Sequence, residues 1–133
     1  MIEMAAIACI HHVALTVSDA ERSAAWYRAV FGLTEVARSD YETASVRILA
    51  RDSVVVGLRQ YHAAPPHAFD EMRTGLDPLA FEVTTRTVLA DWEQLLRERN
   101  IPFSPITEAT LGSVIVLRDP DNIQLELWLP DGR

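Results

Sequence analysis

The second half of this chain repeats the first. Val17 recurs as Val83 and Trp26 as Trp92, both 66 residues apart, while Arg51-Asp52 recurs as Arg118-Asp119, 67 apart. A longer second turn carries Gly57 onto Glu126, 69 apart. The order of elements repeats as well. A duplication restricts the fold severely, because one small supersecondary unit must serve both halves.

That unit can be read from local patterns. Val13, Leu15 and Val17 alternate with His12, Ala14 and Thr16, which predicts a strand over 10–17. Ser18-Asp19-Ala20-Glu21 matches a capping box with Ser18 as the cap. A helix follows to about Phe31, with Ala20, Ala24, Tyr27 and Phe31 on one face. Gly32 stands where a left-handed C-cap residue belongs. Strands are predicted over 33–37, 44–50 and 53–60, with Arg51-Asp52 as a tight turn. Module one is thus 8–60, and 61–76, holding the Pro65-Pro66 pair, is the linker.

Module two, 77–130, restarts the pattern. A strand over 78–83 precedes a helix over 87–100, whose apolar stripe is Val88, Trp92, Leu95 and Leu96. Strands near 103–106, 113–118 and 123–128 complete it, with Asp119-Pro120-Asp121-Asn122 as turn chemistry before the last. Trp26 and Trp92 are assigned to packing between helix and sheet.

Composition narrows the function classes. The 133 residues suit one domain with a real core. The net charge of −7 and the lack of any Lys/Arg run disfavour nucleic acid and anionic membranes, which need clustered cations. No apolar run approaches a membrane span. The N-terminal residues include Glu3 and no Lys or Arg, unlike the basic start of a signal peptide. Cys9, the single cysteine, admits no intrachain disulfide and is expected as a small buried strand residue. The expectation is a cytoplasmic protein. No phosphate loop, dinucleotide glycine motif, Gly-x-Ser-x-Gly elbow or Cys-x-x-Cys pair occurs.

Three segments carry a resemblance. They are His12-Val13-Ala14-Leu15-Thr16-Val17-Ser18-Asp19 with Ser23, Trp26-Tyr27 and Phe31-Gly32-Leu33; Gly75 to Val83; and Arg118-Asp119-Pro120-Asp121-Asn122 leading to Leu125-Glu126-Leu127. Across nearly the whole chain these resemble the vicinal oxygen chelate superfamily of glyoxalases, bleomycin-resistance proteins and extradiol dioxygenases. The resemblance implies an α+β fold: two tandem βαβββ modules forming a cup-shaped mixed sheet, with helices on the outer face. It also implies a homodimer. In metal-using members four strand positions supply ligands, which map here to His12, Gly57, Pro78 and Glu126.

His12 and Glu126 can ligate a divalent ion, but Gly57 and Pro78 offer no side-chain donor. A catalytic zinc site normally keeps three protein ligands. A divalent metal would need a further residue, and His62, His67 and Tyr61 in the linker are the candidates; the expectation is no cofactor. Gly57 marks either a bulge or space for a ligand, and Pro78 can begin an edge strand. Strand parity adds Thr16, Val55, Arg59, Ala80, Glu82, Gln124 and Trp128 to the same concave face, whereas His11 points to the other face or to solvent. A wall of this mixed kind suits a small molecule.

Three functions are consistent with these residues. One is a small-molecule-binding protein of the bleomycin-resistance type with an incomplete metal site, its ligand held by Arg59, Trp128, Gln124, Glu82, Thr16 and Gly57. The alternative is a lyase, isomerase or dioxygenase of the superfamily, using Glu126 as general base with His12 beside it, with or without a metal. The third is a regulatory or structural module.

Overall fold

The structure, a computed structural model, describes residues 4–65 and 67–132. It is α+β, with the order βαβββ twice in series. The chain divides into two compact units, Met1–Pro66 and His67–Arg133. No helix of the described residues is long and apolar enough to cross a membrane.

The first unit contains β1 (Val13–Thr16), α1 (Ala20–Phe31), β2 (Thr34–Asp40), β3 (Ala44–Arg51) and β4 (Val54–Tyr61). Its sheet order is β1-β4-β3-β2, with β1 parallel to β4 and the other pairs antiparallel. The second unit repeats this with β5 (Leu79–Glu82), α2 (Arg86–Glu98), β6 (Phe103–Ala109), β7 (Gly112–Arg118) and β8 (Gln124–Pro130), in the order β5-β8-β7-β6. The βαβ crossover explains the parallel pair, because a helix must return the chain to the same end of the sheet.

Hydrogen bonds confirm the register of the repeat. The Val17 amide donates to the Arg59 carbonyl at 2.9 Å, and the Val83 amide donates to the Trp128 carbonyl at 2.8 Å. Both three-stranded portions also shift register in their outer strand, between Glu35 and Ala37 and between Ser104 and Thr107. In β6 the irregularity contains Pro105, whose missing amide could not join a regular ladder. The bulges let β2 and β6 run past the predicted 37 and 106.

Each helix packs on one face of its own sheet. Tyr27, Leu49 and Leu58 are fully buried in the first unit, and Leu89, Leu96, Ile115 and Leu125 in the second. Ala20, Ala24, Tyr27 and Phe31 are all buried as the helical spacing required. In α2 only Leu96 of the predicted stripe is fully buried, and Leu89, outside that stripe, joins it.

Two N-terminal expectations are corrected. Cys9 is exposed, and the first strand begins at Val13 instead of residue 10. The parallel register pairs Val13 with Val56, and β4 starts at Val54, so a strand beginning at residue 10 would have no β4 partner for its first residue. The helix cap also moves. Asp19, not Ser18, is the N-cap, and its carboxylate accepts from the Arg22 amide at 3.0 Å. A carboxylate suits the positive end of a helix better than a hydroxyl. Glu21, the predicted capping-box partner, bonds an arginine distant in sequence. It accepts from Arg47 Nε at 2.7 Å, while Asp40 takes Arg47 Nη1 at 2.8 Å. Arg47 is only 4% exposed, so its charge is compensated by carboxylates from α1 and β2.

Candidate functional site

Opposite each helix, a sheet face is left without a covering helix of its own unit. Side chains at paired positions share a face, so the register assigns its members. In the first unit Ala14 pairs Gly57 and Thr16 pairs Arg59, while Ile48 and Val46 stand opposite the same two β4 residues. Thr16 is exposed, Arg59 half-buried and Gly57 buried. The Arg59 guanidinium lies over the Tyr61 ring, 5.7 Å from its centroid. That contact steadies a cation on an apolar surface.

Gly57 is not a bulge, for the β4 register runs through it on both sides without a shift. A methyl group built there would meet Ile48 Cδ1 at 3.4 Å and the Ala14 Cβ at 3.5 Å, which is ordinary contact. The position would therefore admit a methyl group and is not crowded into glycine.

In the second unit Ala80 pairs Glu126 and Glu82 pairs Trp128. Across β7, Val116 stands opposite Glu126, Val114 opposite Trp128 and Arg118 opposite Gln124. Gln124, Glu126 and Trp128 are half-buried, whereas Glu82 is exposed. Gln124 Nε2 donates to Glu126 Oε1 at 3.3 Å, a weak restraint that leaves the second carboxylate oxygen for other partners.

The four positions that the resemblance equates with metal ligands carry few side-chain donors. Glu126 supplies one carboxylate, and Gly57 and Pro78 supply no donor. His12 lies outside β1 and is exposed, with its Nδ1 at 2.8 Å from Nδ1 of His11, which is also exposed. His62 is not an uncommitted imidazole: its Nδ1 bonds the Glu42 carbonyl at 2.9 Å and its Nε2 the Ser45 hydroxyl at 2.8 Å. Among the described residues, no group of three or more His, Cys, Asp or Glu is placed to hold an ion. Pro78 immediately precedes β5, an edge strand, where its missing amide costs nothing.

One pair was not anticipated from the sequence. Arg118 donates twice to Glu71, through Nη2 at 2.8 Å and Nη1 at 2.9 Å. Parity alone could have placed Arg118 beside Gln124 on the helix-free face. Glu71 carries no such signal, because it lies in the aperiodic stretch read as linker. The Arg118 hydrogen bonds, assisted by the Glu71 backbone, hold the Glu71 carboxyl at about 2, below its ordinary 4.5. A folded value below the unfolded one means stabilisation present above about 4.5 and lost as pH falls through 2. We expect the melting-temperature gap between wild type and Glu71→Gln to be open at pH 5 and to close by pH 2. A gap that stays constant across that window would show that Arg118 does not favour the ionised carboxylate.

Comparison with known proteins completes the site. A family model described as the Glyoxalase/Bleomycin resistance protein/Dioxygenase superfamily matches residues 9–127. A glyoxylase/bleomycin resistance protein/dioxygenase domain from Frankia sp. EAN1pec is 32% identical, with 94% of this chain and 99% of that chain covered and a TM-score of 0.86. Lactoylglutathione lyase from Agrobacterium tumefaciens is 17% identical, with 92% and 94% covered and a TM-score of 0.72. A variant of a fosfomycin resistance protein from Listeria monocytogenes, complexed with Mn(II) and 1S,2S-dihydroxypropylphosphonic acid, is 14% identical, with 96% and 95% covered and a TM-score of 0.71. The last two likenesses are of fold. Comparison with curated proteins gives no match.

Proposed function

Because the chain belongs to the Glyoxalase/Bleomycin resistance protein/Dioxygenase superfamily, we propose that it binds a small organic molecule on its helix-free sheet faces, without an ion held at the four positions that serve as ligands in metal-using members. The observation that supports this most is the donor set. The repeat-related residues Gly57 and Glu126 contribute one carboxylate between them, Pro78 contributes no donor, and His12 is exposed beside His11. The first unit's face carries a guanidinium, from Arg59, and the second unit's face an amide and an indole, from Gln124 and Trp128. A guanidinium suits a carboxylate, and an amide beside an indole suits a partly aromatic ligand with a carbonyl group. A neighbour of the same fold is in complex with Mn(II). Homodimerisation is part of the same proposal and follows from family likeness alone.

The second reading is an enzyme in which Glu126 acts as general base. Its specific support is the half-buried Glu126 carboxylate, held among the described residues by the long bond from Gln124. Exposed His12 weighs against a partnership of the two.

Elemental analysis of untagged protein, with titration of phenolic carboxylates followed by tryptophan fluorescence, tests the proposal. The expected result is well below one divalent ion per chain after dialysis, with a saturable signal that disappears in Trp128→Ala. Followed separately by calorimetry, Arg59→Ala should raise the Kd of the first unit's face about tenfold, or about 1.4 kcal/mol. The figure is modest because Arg59 is only half-buried and its charge is partly solvated. A stoichiometric ion that is lost on Glu126→Ala would overturn the metal-free reading. Consumption of a bound ligand, abolished by Glu126→Gln, would favour the enzyme.

A further inference from the structure

The segment before β5 is fastened to the second unit at two points. The Phe69 amide donates to the Asp121 carbonyl at 2.7 Å, and Asn122 Nδ2 donates to the Phe69 carbonyl at 3.1 Å. The other point is the Glu71–Arg118 pair. Between and beyond these the chain makes only a short turn. The Met72 amide donates to Asp70 Oδ1 at 2.9 Å and the Arg73 amide to the Asp70 carbonyl at 3.2 Å, with Met72 90% exposed. Glu71 thus stands at the tip of a turn that packs little of its own surface, and its carboxylate fills the fork of the guanidinium.

The place of Arg118 gives this contact a further meaning. Its cross-strand partner is Gln124, and the next pair along the same face is Val116 with Glu126. Arg118 is also half-buried, so its charge acts in a partly desolvated setting. A planar guanidinium presents parallel donors matched to a carboxylate, and here an internal carboxylate occupies them.

We infer that Arg118 is a carboxylate-reading position on the helix-free face, and that Glu71 is a tethered occupant which an anionic ligand displaces, releasing the turn around Met72. The inference rests on the ligand-binding reading above and names both the anionic group that site accepts and the device that guards it. A tethered competitor acts at an effective concentration on the order of millimolar. A bare carboxylate is therefore excluded at low concentration, whereas one carrying an aromatic ring gains contacts with the adjoining Gln124 and Val116 and prevails. Glu71 would in this way act as a selectivity filter against small anions.

The test uses the full chain, with benzoate as probe and benzamide as its neutral counterpart, read by calorimetry and by tryptic cleavage after Arg73. Glu71→Gln should tighten benzoate binding about tenfold and leave benzamide unchanged. In the Glu71→Gln background, Arg118→Gln or the milder Arg118→Lys should cancel the gain, since lysine keeps the charge but not the fork. In wild type, benzoate should accelerate cleavage after Arg73, and benzamide should not. The inference is overturned if Glu71→Gln binds benzoate as wild type does, or if cleavage ignores the anion. The broader ligand reading is judged separately, by whether any ligand changes a signal that depends on Trp128. If Trp128 responds and Glu71→Gln alters nothing, only the tethered-occupant inference fails.

Discussion

Replacing Tyr27 with alanine is expected to remove about 3–5 kcal/mol of folding stability, read as a fall in the urea midpoint at unchanged slope. Tyr27 is 0% exposed at the centre of the α1 contact with its sheet. Its ring lies 5.0 Å from that of Trp26 at an interplanar angle of 79°, and 5.9 Å from that of Phe31 in a stacked arrangement. Truncation forfeits the buried area and the ring contacts together, and leaves a cavity that neighbouring β strands cannot fill by side-chain movement alone. Total stabilities of about 5–15 kcal/mol make this a large share. Trp26→Ala should cost less, because Trp26 is half-buried. Tyr27→Phe separates the ring from the hydroxyl. A loss below about 1 kcal/mol for Tyr27→Ala would mean that α1 is not anchored through this ring.

The next largest effect is expected at Asp119. Its Oδ1 accepts from the Asp121 amide at 2.9 Å and the Ile123 amide at 2.8 Å, and the residue is 6% exposed. Asp119→Ala deprives two buried donors of a charged acceptor, at a cost of about 2–4 kcal/mol. Asp119→Asn should cost less, since the amide oxygen still accepts. The loop also holds Asn122 at φ 66, a left-handed conformation that asparagine tolerates. This turn delivers the chain into β8, so it sets where Gln124, Glu126 and Trp128 fall. Ligand affinity, measured by the tryptophan titration, is expected to decline with stability in Asp119→Ala. Unchanged stability together with unchanged affinity would show that the turn holds its shape through backbone bonds alone.

Local pattern made much of this fold legible. Alternation along 12–17 and 123–128 placed Leu15, Val17, Leu125 and Leu127 inward, and all four are buried. The same period assigned Thr16, Gly57, Arg59, Gln124, Glu126 and Trp128 to a common face, and the strand register shows Thr16 paired with Arg59 in the first unit and Glu126 in step with Ala80 and Val116 in the second. Helical spacing found the buried side of α1, and Gly32 caps that helix with φ 66 as its position required. The repeat register was legible because it needs only identities at matching intervals, which hydrogen bonds from Val17 and Val83 then reproduce.

Partners distant in sequence decided the rest. The cap passed from Ser18 to Asp19, and Glu21 went to Arg47, a buried cation twenty-six positions away that no local rule connects to it. His12 fell just outside the first strand, whose pairing with β4 begins at Val13 opposite Val56. Glu71 joined Arg118 across forty-seven positions from a stretch without periodicity. The sequence by itself therefore determined the class of fold, its duplication and the direction of each strand side chain, since these depend on neighbours within a few residues. Only the tertiary structure decided which charges pair, where a strand stops and which loop lies against a sheet, because those choices compare the desolvation of a group with the partners that folding happens to bring to it.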